Sequence, residues 1–147
     1  MADNRLEFPF GSSVLQLVVS HRAITAQKIR KLGIYPGQDI MLLELLRRDH
    51  RSQTELVKTL QLDHSTVAKS ARRLEQAEIV ELSKSAKDKR VTLINLTAKG
   101  KAVAEQVAKI WDSIEHIAFE GFNENEVKQF MRGMKLVTKN MSPEEKQ

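Results

Sequence analysis

The sequence predicts a mainly α-helical fold that carries one small β-hairpin, and three observations lead to this fold class. Apolar residues recur at helical spacing along most of the 147 residues. A turn of three residues near the middle of the chain separates two short helical segments. Two strand-like segments with a charged loop between them follow directly. A chain of this length fits one domain, in which about 69% of the unfolded surface is buried on folding.

Two helices are predicted in the first third of the chain. The first begins at Ser12 or Ser13, which are good N-cap residues, and runs to about Lys31. The second begins at Pro36, whose fixed φ suits the first position of a helix. Because this second helix is apolar over most of its circumference, we expect it in the core.

Two short helices joined by a tight turn are predicted next. Ser52 and Glu55 form a capping box at the start of the third helix, which ends near Leu60. After the turn, Asp63 caps a fourth helix over residues 64–77. This arrangement is typical of a helix-turn-helix.

A β-hairpin with a basic loop follows the fourth helix. Residues 79–84 and 91–96 have the apolar and β-branched character of strands. Residues 84–90, which include the loop, hold four basic residues and one acidic residue, a net charge of +3.

Two long helices complete the chain. Thr97 caps the fifth helix, and Asn123 with Glu126 caps the sixth. The apolar stripes of these helices and of the first helix exceed what one small core needs. This excess favours a dimer.

The composition excludes several classes of protein. The chain has no cysteine, which excludes a disulfide framework, thiolate zinc sites and cysteine nucleophiles. No apolar run reaches the roughly 18 residues of a membrane-spanning helix. Residues 1–7 are polar and acidic, unlike a secretory leader, and we therefore expect a soluble cytoplasmic protein.

The charge is unevenly distributed along the chain. There are 24 basic and 19 acidic side chains, a net charge of +5. Residues 63–101 hold 9 basic and 5 acidic side chains, net +4, whereas residues 102–147 hold 6 and 8, net −2. A basic centre favours a polyanionic partner, although solvated charge alone produces the same pattern.

The fourth helix has a polar flank suited to a DNA groove. At about 100° per residue, the apolar residues Val67, Ala71 and Leu74 share one side of it. Short hydroxyls on the other side let the helix approach the major groove, and basic side chains reach bases or phosphates. The DNA-binding residues predicted on this helix are Ser65, Thr66, Lys69, Ser70 and Arg73. An ordinary amphipathic surface helix is the alternative interpretation.

The hairpin loop adds four predicted DNA-binding residues. Arg90 suits the minor groove, where negative potential is concentrated. Phosphate would repel Asp88, which makes physical sense only if it accepts hydrogen bonds from Arg90 and aligns the guanidinium. Lys87 and Lys89 are expected to contact phosphates. A solubilising turn is the alternative.

Five short motifs occur in a specific order along the chain. They are residues 32–38 (LGIYPGQ), 66–69 (TVAK), 74–75 (LE), 88–90 (DKR) and 96–100 (LTAKG). In this order and spacing they resemble the multiple antibiotic resistance regulator (MarR) family of bacterial transcription factors. The resemblance covers nearly the whole chain.

The resemblance implies a winged helix-turn-helix on a helical dimerisation body, within one domain over residues 1–147. The DNA-binding lobe would span residues 33–97, and the dimerisation helices residues 10–32 and 98–141. A homodimeric repressor would bind a pseudo-palindromic operator in double-stranded DNA. The predicted dimer-interface residues are Val14, Val18, Val107, Ile110, Ile114, Phe130 and Met134.

The resemblance also implies a small-molecule pocket between the dimer helices and the lobe. The candidate residues for an aromatic or acidic effector are His21, Arg22, Tyr35, Met41 and Trp111. The alternatives are a partly buried His21 satisfied by a neighbour and a Trp111 that anchors the dimer core.

Three positions depart from the family pattern. Glu78 stands where the family often has glycine, so either a left-handed, strained backbone or a different turn is expected there. Tyr35 replaces a threonine cap before the second helix. The hairpin loop has Ser85 and Ala86 and lacks the usual proline.

The sequence has no pattern typical of an enzyme. The spacing of the four histidines does not indicate a metal site, and the glycine-rich phosphate loop, GxSxG and HExxH motifs do not occur. We expect no catalysis, no metal and no cofactor. A structural or protein-interaction helical module and a ligand-independent regulator are the remaining alternatives.

Overall fold

The computed structural model describes residues 7–143. Its helices are α1 (Pro9–Ile29), α2 (Gln38–Arg47), α3 (Gln53–Leu60), α4 (His64–Gln76), α5 (Ala98–Ala118) and α6 (Glu124–Met141), with a short 3₁₀ helix (Arg30–Leu32) after α1. Its strands are β1 (Arg51–Ser52), β2 (Val80–Lys84) and β3 (Thr92–Leu96). The predicted mainly helical fold with a β-hairpin is confirmed. Among the residues described, none of the helices is long and apolar enough to cross a membrane.

The three strands form one antiparallel sheet in the order β1-β3-β2. β2 and β3 are the predicted hairpin, with Val80 opposite Leu96 and Lys84 opposite Thr92. β1, in which Arg51 lies opposite Ile94, was not predicted. Its two residues are too few to show the alternation that indicates a strand.

One hydrophobic core unites α2, α3, α4 and the sheet with the end of α1 and the first half of α5. Its largest fully buried side chains are Ile29, Met41, Leu42, Leu45, Leu56, Val67, Leu74, Val80, Ile94 and Val107. α2 occupies the core, as its apolar circumference predicts.

The start of α1 differs from the prediction. The helix begins at Pro9, a residue favoured in the first turn. The hydroxyls of Ser12 and Ser13 donate to carbonyls four residues earlier and do not cap the helix. The end is also earlier than predicted, since α1 stops at Ile29 and the 3₁₀ helix follows.

α2 begins at Gln38 and not at Pro36, because Gly37 has φ 94° and interrupts the helical backbone. The Gln38 side-chain oxygen accepts from the Tyr35 N–H at 2.9 Å, and Asp39 Oδ1 accepts from the Gly37 N–H at 2.9 Å. Side chains of the first turn therefore satisfy the backbone that precedes it.

The other predicted caps are confirmed. Ser52 and Glu55 form the reciprocal capping box at the start of α3, and Asn123 and Glu126 form one at the start of α6. The Thr97 hydroxyl accepts a 2.9 Å hydrogen bond from an amide in the first turn of α5.

The chain divides within α5 into two compact units, Met1–Ile114 and Glu115–Gln147. The helix-turn-helix and the sheet belong to the first unit. In the second unit the rings of Phe119, Phe122 and Phe130 make edge-to-face contacts, with centroids 5.5 to 6.2 Å apart. The functional division into a lobe at 33–97 with flanking dimerisation helices stays a prediction.

The predicted dimer-interface residues fall into three groups, which are buried, partly buried and exposed. Val107 is fully buried and Ile114 is 4% exposed within a single chain, so the prediction is wrong for both. The side chain of Val107 belongs to the core, and Ile110 packs partly against that core. Four predicted residues are 40 to 43% exposed, and for these the interface stays a prediction: Val14, Val18, Phe130 and Met134.

Candidate nucleic-acid interface

The turn between α3 and α4 fixes the start of α4. α3 ends at Leu60, and its C-cap residue Gln61 is left-handed with φ 53°. Asp63 then accepts from the Thr66 amide on Oδ1 and from the Thr66 hydroxyl on Oδ2, both at 2.8 Å. The amide bond first, and the hydroxyl bond second, hold the pKa of Asp63 below its ordinary value. A charged Asp63 therefore caps α4 at neutral pH.

α4 presents the polar flank that the sequence predicts. Its apolar side is buried in the core through Val67, Ala71 and Leu74. Four of the DNA-binding residues predicted on this flank are exposed: Ser65, Thr66, Lys69 and Arg73. The fifth, Ser70, is half-buried. Their contact with DNA stays a prediction.

The sequence interpretation missed Arg72, which is exposed on the same flank. Arg72 follows Ser65 by seven residues, and a step of about 100° places it roughly 20° from Ser65 around the helix. Helical periodicity could therefore have identified it. The flank carries three cations, Lys69, Arg72 and Arg73.

In the loop between β2 and β3, Arg90 makes a two-point contact with Asp88. Arg90 Nε donates to Asp88 Oδ1 at 3.1 Å, and Nη2 donates to Oδ2 at 3.2 Å. The Arg90 amide adds a 3.0 Å bond to Oδ1. The side-chain bonds first, and the amide bond second, lower the pKa of Asp88. The Arg90 side chain is nevertheless 91% exposed, so its remaining N–H groups are accessible.

The lysines of the hairpin differ in their surroundings. Lys87 and Lys89 are exposed at the loop. Lys84 donates to the Thr92 hydroxyl across the hairpin at 3.0 Å. The basic side chains of the loop are therefore open to solvent, and among them Arg90 is held in one orientation by Asp88.

An ion pair between the buried Arg51 and the half-buried Glu44 holds the helix-turn-helix against α2. Arg51, 5% exposed, donates from Nη1 to Glu44 Oε2 at 2.7 Å and from Nη2 to the Thr59 hydroxyl at 2.6 Å. Glu44 lies on α2 and Thr59 on α3, so a residue of the unpredicted strand β1 joins both helices. The loss of either partner would leave a buried charge uncompensated.

Tyr35, a predicted effector residue, is 64% exposed and lines a cleft of about 460 Å³. The cleft lies between the α1–α2 junction and the C-terminal half of α4. Its other lining residues are Gly33, Gln38, Arg73, Leu74, Gln76, Ala77 and Ile79. Tyr35 and Arg73 therefore line one cleft together with the apolar residues Leu74, Ala77 and Ile79.

The remaining predicted effector residues lie elsewhere. The His21 and Trp111 rings meet edge-to-face with centroids 5.2 Å apart, and Trp111 Nε1 donates to the buried Asp39 Oδ2 at 3.0 Å. These contacts join α1, α5 and α2 within one chain. Arg22 is exposed. The prediction is wrong for Met41, because its side chain is fully buried in the core and a ligand cannot reach it in this conformation.

This chain is similar to a known family and to known transcriptional regulators. The MarR family model matches residues 33–91, from the α1–α2 junction to the end of the hairpin loop. The HTH-type transcriptional repressor NicR of Pseudomonas putida is 31% identical over 108 residues, 72% of this chain and 67% of that protein. The HTH-type transcriptional regulator BilQ of Clostridium symbiosum is 26% identical over 102 residues, 69% of this chain and 71% of that protein.

Solved structures share the fold. The MepR–DNA complex of S. aureus is 23% identical with a TM-score of 0.84, covering 92% of this chain and 100% of that chain. A mutant MarR of E. coli complexed with operator DNA is 22% identical with a TM-score of 0.81, covering 92% and 99%. A MarR transcriptional regulator from Methanosarcina mazei is 26% identical with a TM-score of 0.81, covering 88% and 94%. The chain belongs to the MarR family of winged helix-turn-helix transcriptional regulators, which act by binding DNA.

Proposed function

We propose that this regulator is a repressor that binds a pseudo-palindromic operator as a homodimer, with α4 in the major groove and the β2–β3 loop in the minor groove. The oriented contact between Asp88 and Arg90 carries the proposal. A solubilising turn does not need a guanidinium held at two points. Minor-groove insertion does need it, because the narrow groove admits only one orientation of the side chain.

The geometry of α4 supports the major-groove part of the proposal. The exposed flank places short hydroxyls, such as that of Ser65, beside the cations of Lys69 and Arg72. Hydroxyls permit close approach, and cations reach base edges and phosphates. The buried apolar side fixes which flank faces outward.

The hairpin loop would act together with this flank. Asp88 occupies two of the five N–H donors of Arg90, which leaves three for the O2 and N3 acceptors of the groove floor. The lowered pKa of Asp88 keeps the carboxylate charged at neutral pH. Lys87 and Lys89 would neutralise flanking phosphates and make binding salt-dependent.

The exposed apolar residues of α1 and of the second unit support the dimer. A two-fold pair of α4 helices separated by about 34 Å would read two half-sites one DNA turn apart. The relative from Pseudomonas putida is named a repressor, and repression is the expected outcome for a dimer that occupies a promoter.

The proposal also includes a small-molecule effector that releases the protein from DNA. The cleft beside Tyr35 and Arg73 suits a small aromatic acid, because the guanidinium would bind a carboxylate and Tyr35 would contact a ring. Since Arg73 also lies on the α4 flank, a ligand in this cleft would compete with DNA for the same side chain.

The test measures binding to a duplex that the wild-type protein selects from a random-sequence library. Arg90→Ala should weaken binding about 10- to 100-fold, the loss expected for an oriented guanidinium, and reduce the salt slope by about one. Arg30→Ala, an exposed arginine outside α4 and the hairpin, is the charge-matched control. Equal affinity of the two variants would contradict the assignment of Arg90. Aromatic acids added to the wild-type complex test release in the same assay.

A further inference from the structure

The C-terminus of α4 is closed by a complete Schellman motif. The Ile79 amide donates to the Leu74 carbonyl and the Glu78 amide donates to the Glu75 carbonyl, both at 2.9 Å. Glu78 adopts φ 60°, the left-handed conformation expected at this position from the family pattern. Leu74 and Ile79 are buried in the core, which supplies the apolar contact of the motif. The motif turns the carbonyls of residues 77–79 away from the axis of α4.

The first residues of α5 bind these carbonyls. Lys99 Nζ donates to the Ala77 carbonyl at 2.8 Å. The Thr97 hydroxyl donates to the Glu78 carbonyl at 2.6 Å, and the Thr97 amide donates to the Ile79 carbonyl at 3.1 Å. We call the contact between residues 77–79 and residues 97–100 the α4–α5 junction.

Gly100 sets the separation of the two chain segments at this junction. A Cβ at residue 100 would lie 1.8 Å from the Ile79 carbonyl oxygen, closer than any side chain permits. The Gly100 amide also donates to the Thr97 hydroxyl at 2.9 Å, which orients that hydroxyl toward Glu78. α5 therefore meets the end of α4 at backbone distance and in one register.

The charge of Lys99 suits its position. The C-terminal end of a helix carries a partial negative charge, and a hydrogen bond from an ammonium group to its last carbonyls is charge-assisted. Lys99 is exposed overall, so it makes this bond without contributing to the core. Its function is consequently separable from folding.

We propose that Thr97 and Lys99 are positioning residues for DNA recognition, which fix the orientation of α4 against α5. This inference rests on the proposed function, in which α4 enters the major groove and α5 belongs to the dimer body. The apolar side of α4 packs through Val67, Ala71 and Leu74, and apolar contacts are not directional. Directional hydrogen bonds at the end of α4 fix its tilt, and base contacts require donor–acceptor distances within a few tenths of an ångström.

The experiment compares two substitutions that remove these hydrogen bonds with three controls. Two controls keep a donor at the same position, and the third removes a charge from a neighbouring position. Lys99→Met and Thr97→Val remove the donors at nearly constant shape. Lys99→Arg and Thr97→Ser retain a donor, and Lys101→Met removes the same charge from an exposed position of α5. Each full-length variant is titrated at 25 °C against the selected duplex and against a scrambled duplex of equal composition, and its melting temperature is measured.

Lys99→Met and Thr97→Val should each bind the selected duplex about tenfold more weakly, the equivalent of about one well-made hydrogen bond to a charged group. Affinity for the scrambled duplex should stay within about twofold, because non-specific binding depends on phosphate contacts and not on the tilt of α4. Thr97→Ser, Lys99→Arg and Lys101→Met should bind both duplexes like the wild type.

The inference is overturned if the two test variants bind the selected duplex as tightly as Lys101→Met does. It is also overturned if the affinity of these variants falls by the same factor for both duplexes, since that pattern indicates a lost charge or a lost fold. Should Thr97→Val fail to fold, Lys99→Met decides the question, because its side chain lies outside the core. A wild-type protein with no preference for any duplex would contradict the proposed function itself, a result distinct from a failure of the junction.

Discussion

The helix-turn-helix lobe and the flanking helices differ in what they leave exposed. Residues 33–97 bury most of their large apolar side chains in their own chain, except for Tyr35 and Ile40, and expose charge on α4 and the hairpin loop. By contrast, residues 9–20 of α1 and residues 115–143 include no buried residue. They expose large apolar side chains, among which are Phe10, Leu15, Leu17, Val19, Ile117, Phe122 and Leu136.

This difference separates two kinds of recognition surface. A surface with exposed cations over a closed core is suited to a polyanion, and its mutation should change affinity with little effect on folding. The exposed apolar side chains of α1, and separately those of residues 115–143, are suited to contact with another protein surface. In the proposed function that other surface belongs to a second copy of this chain, which would match the two-fold symmetry of a palindromic operator.

The largest expected effect tests the apolar surface. Val18→Glu should weaken the dimer by about 3–5 kcal/mol, because an unpaired carboxylate would be buried at the interface. This loss corresponds to roughly 10²- to 5 × 10³-fold in the dimer dissociation constant, measured by sedimentation. DNA affinity should fall with it, since two half-sites are no longer engaged together.

Gln16→Glu is the matched control, because it introduces the same carboxylate at an exposed position of α1. It should leave the dimer unchanged. A wild-type protein that sediments as a monomer at micromolar concentration would contradict the interpretation of the apolar surface. Val107→Glu is unsuitable for this purpose, since it would place a charge in the core.

The second prediction compares a glycine at the α4–α5 junction with one in α6. Gly100→Ala should reduce the free energy of unfolding by about 3 kcal/mol, since its Cβ would collide with the Ile79 backbone. Gly133→Ala should increase it by about 0.5–1 kcal/mol, because its Cβ meets nothing within 4 Å and alanine favours a helix interior. Urea unfolding measures both. Equal effects of the two substitutions would show that the close approach at Gly100 is not rigid.

The smallest effect concerns the cap of α4. The pKa of Asp63 is lower in the folded chain than the value of about 3.9 in an unfolded one. Its contribution to stability is therefore fully present above about pH 5 and is lost as the pH falls through 3.9 toward the folded pKa. Asp63→Asn keeps an acceptor that does not titrate, so the wild type should lose stability relative to this variant in acid. A stability difference that does not vary between pH 6 and pH 3 would contradict the assignment.

Local patterns predicted much of the helix-turn-helix, the hairpin and the start of α6. The caps at Ser52, Asp63 and Asn123 depend on side chains a few residues apart, and all three are present. The order of α3, α4 and the hairpin follows from the same local signals. The contact of Asp88 with Arg90 was also predicted, since two residues of separation place both groups in one loop.

Other features depend on contacts distant in sequence. β1 exists because Arg51 lies opposite Ile94, a partner 43 positions later, and no local pattern indicates this pairing. Val107 was assigned to the dimer interface because an apolar stripe does not reveal which side is covered within one chain. The sequence indicated residues 96–100 as a motif but not their contact with the end of α4. The hydrogen bonds of the α4–α5 junction join residues about twenty positions apart, which no local pattern predicts.

The indole of Trp111 provides an internal optical reporter. It is the single tryptophan of the chain, so the near-ultraviolet emission of the protein arises essentially from this ring. The ring touches a histidine of α1 and donates to a carboxylate of α2, and its spectrum therefore registers any rearrangement where these helices meet α5. Stopped-flow fluorescence measurements can therefore follow the junction of the three helices without an added dye.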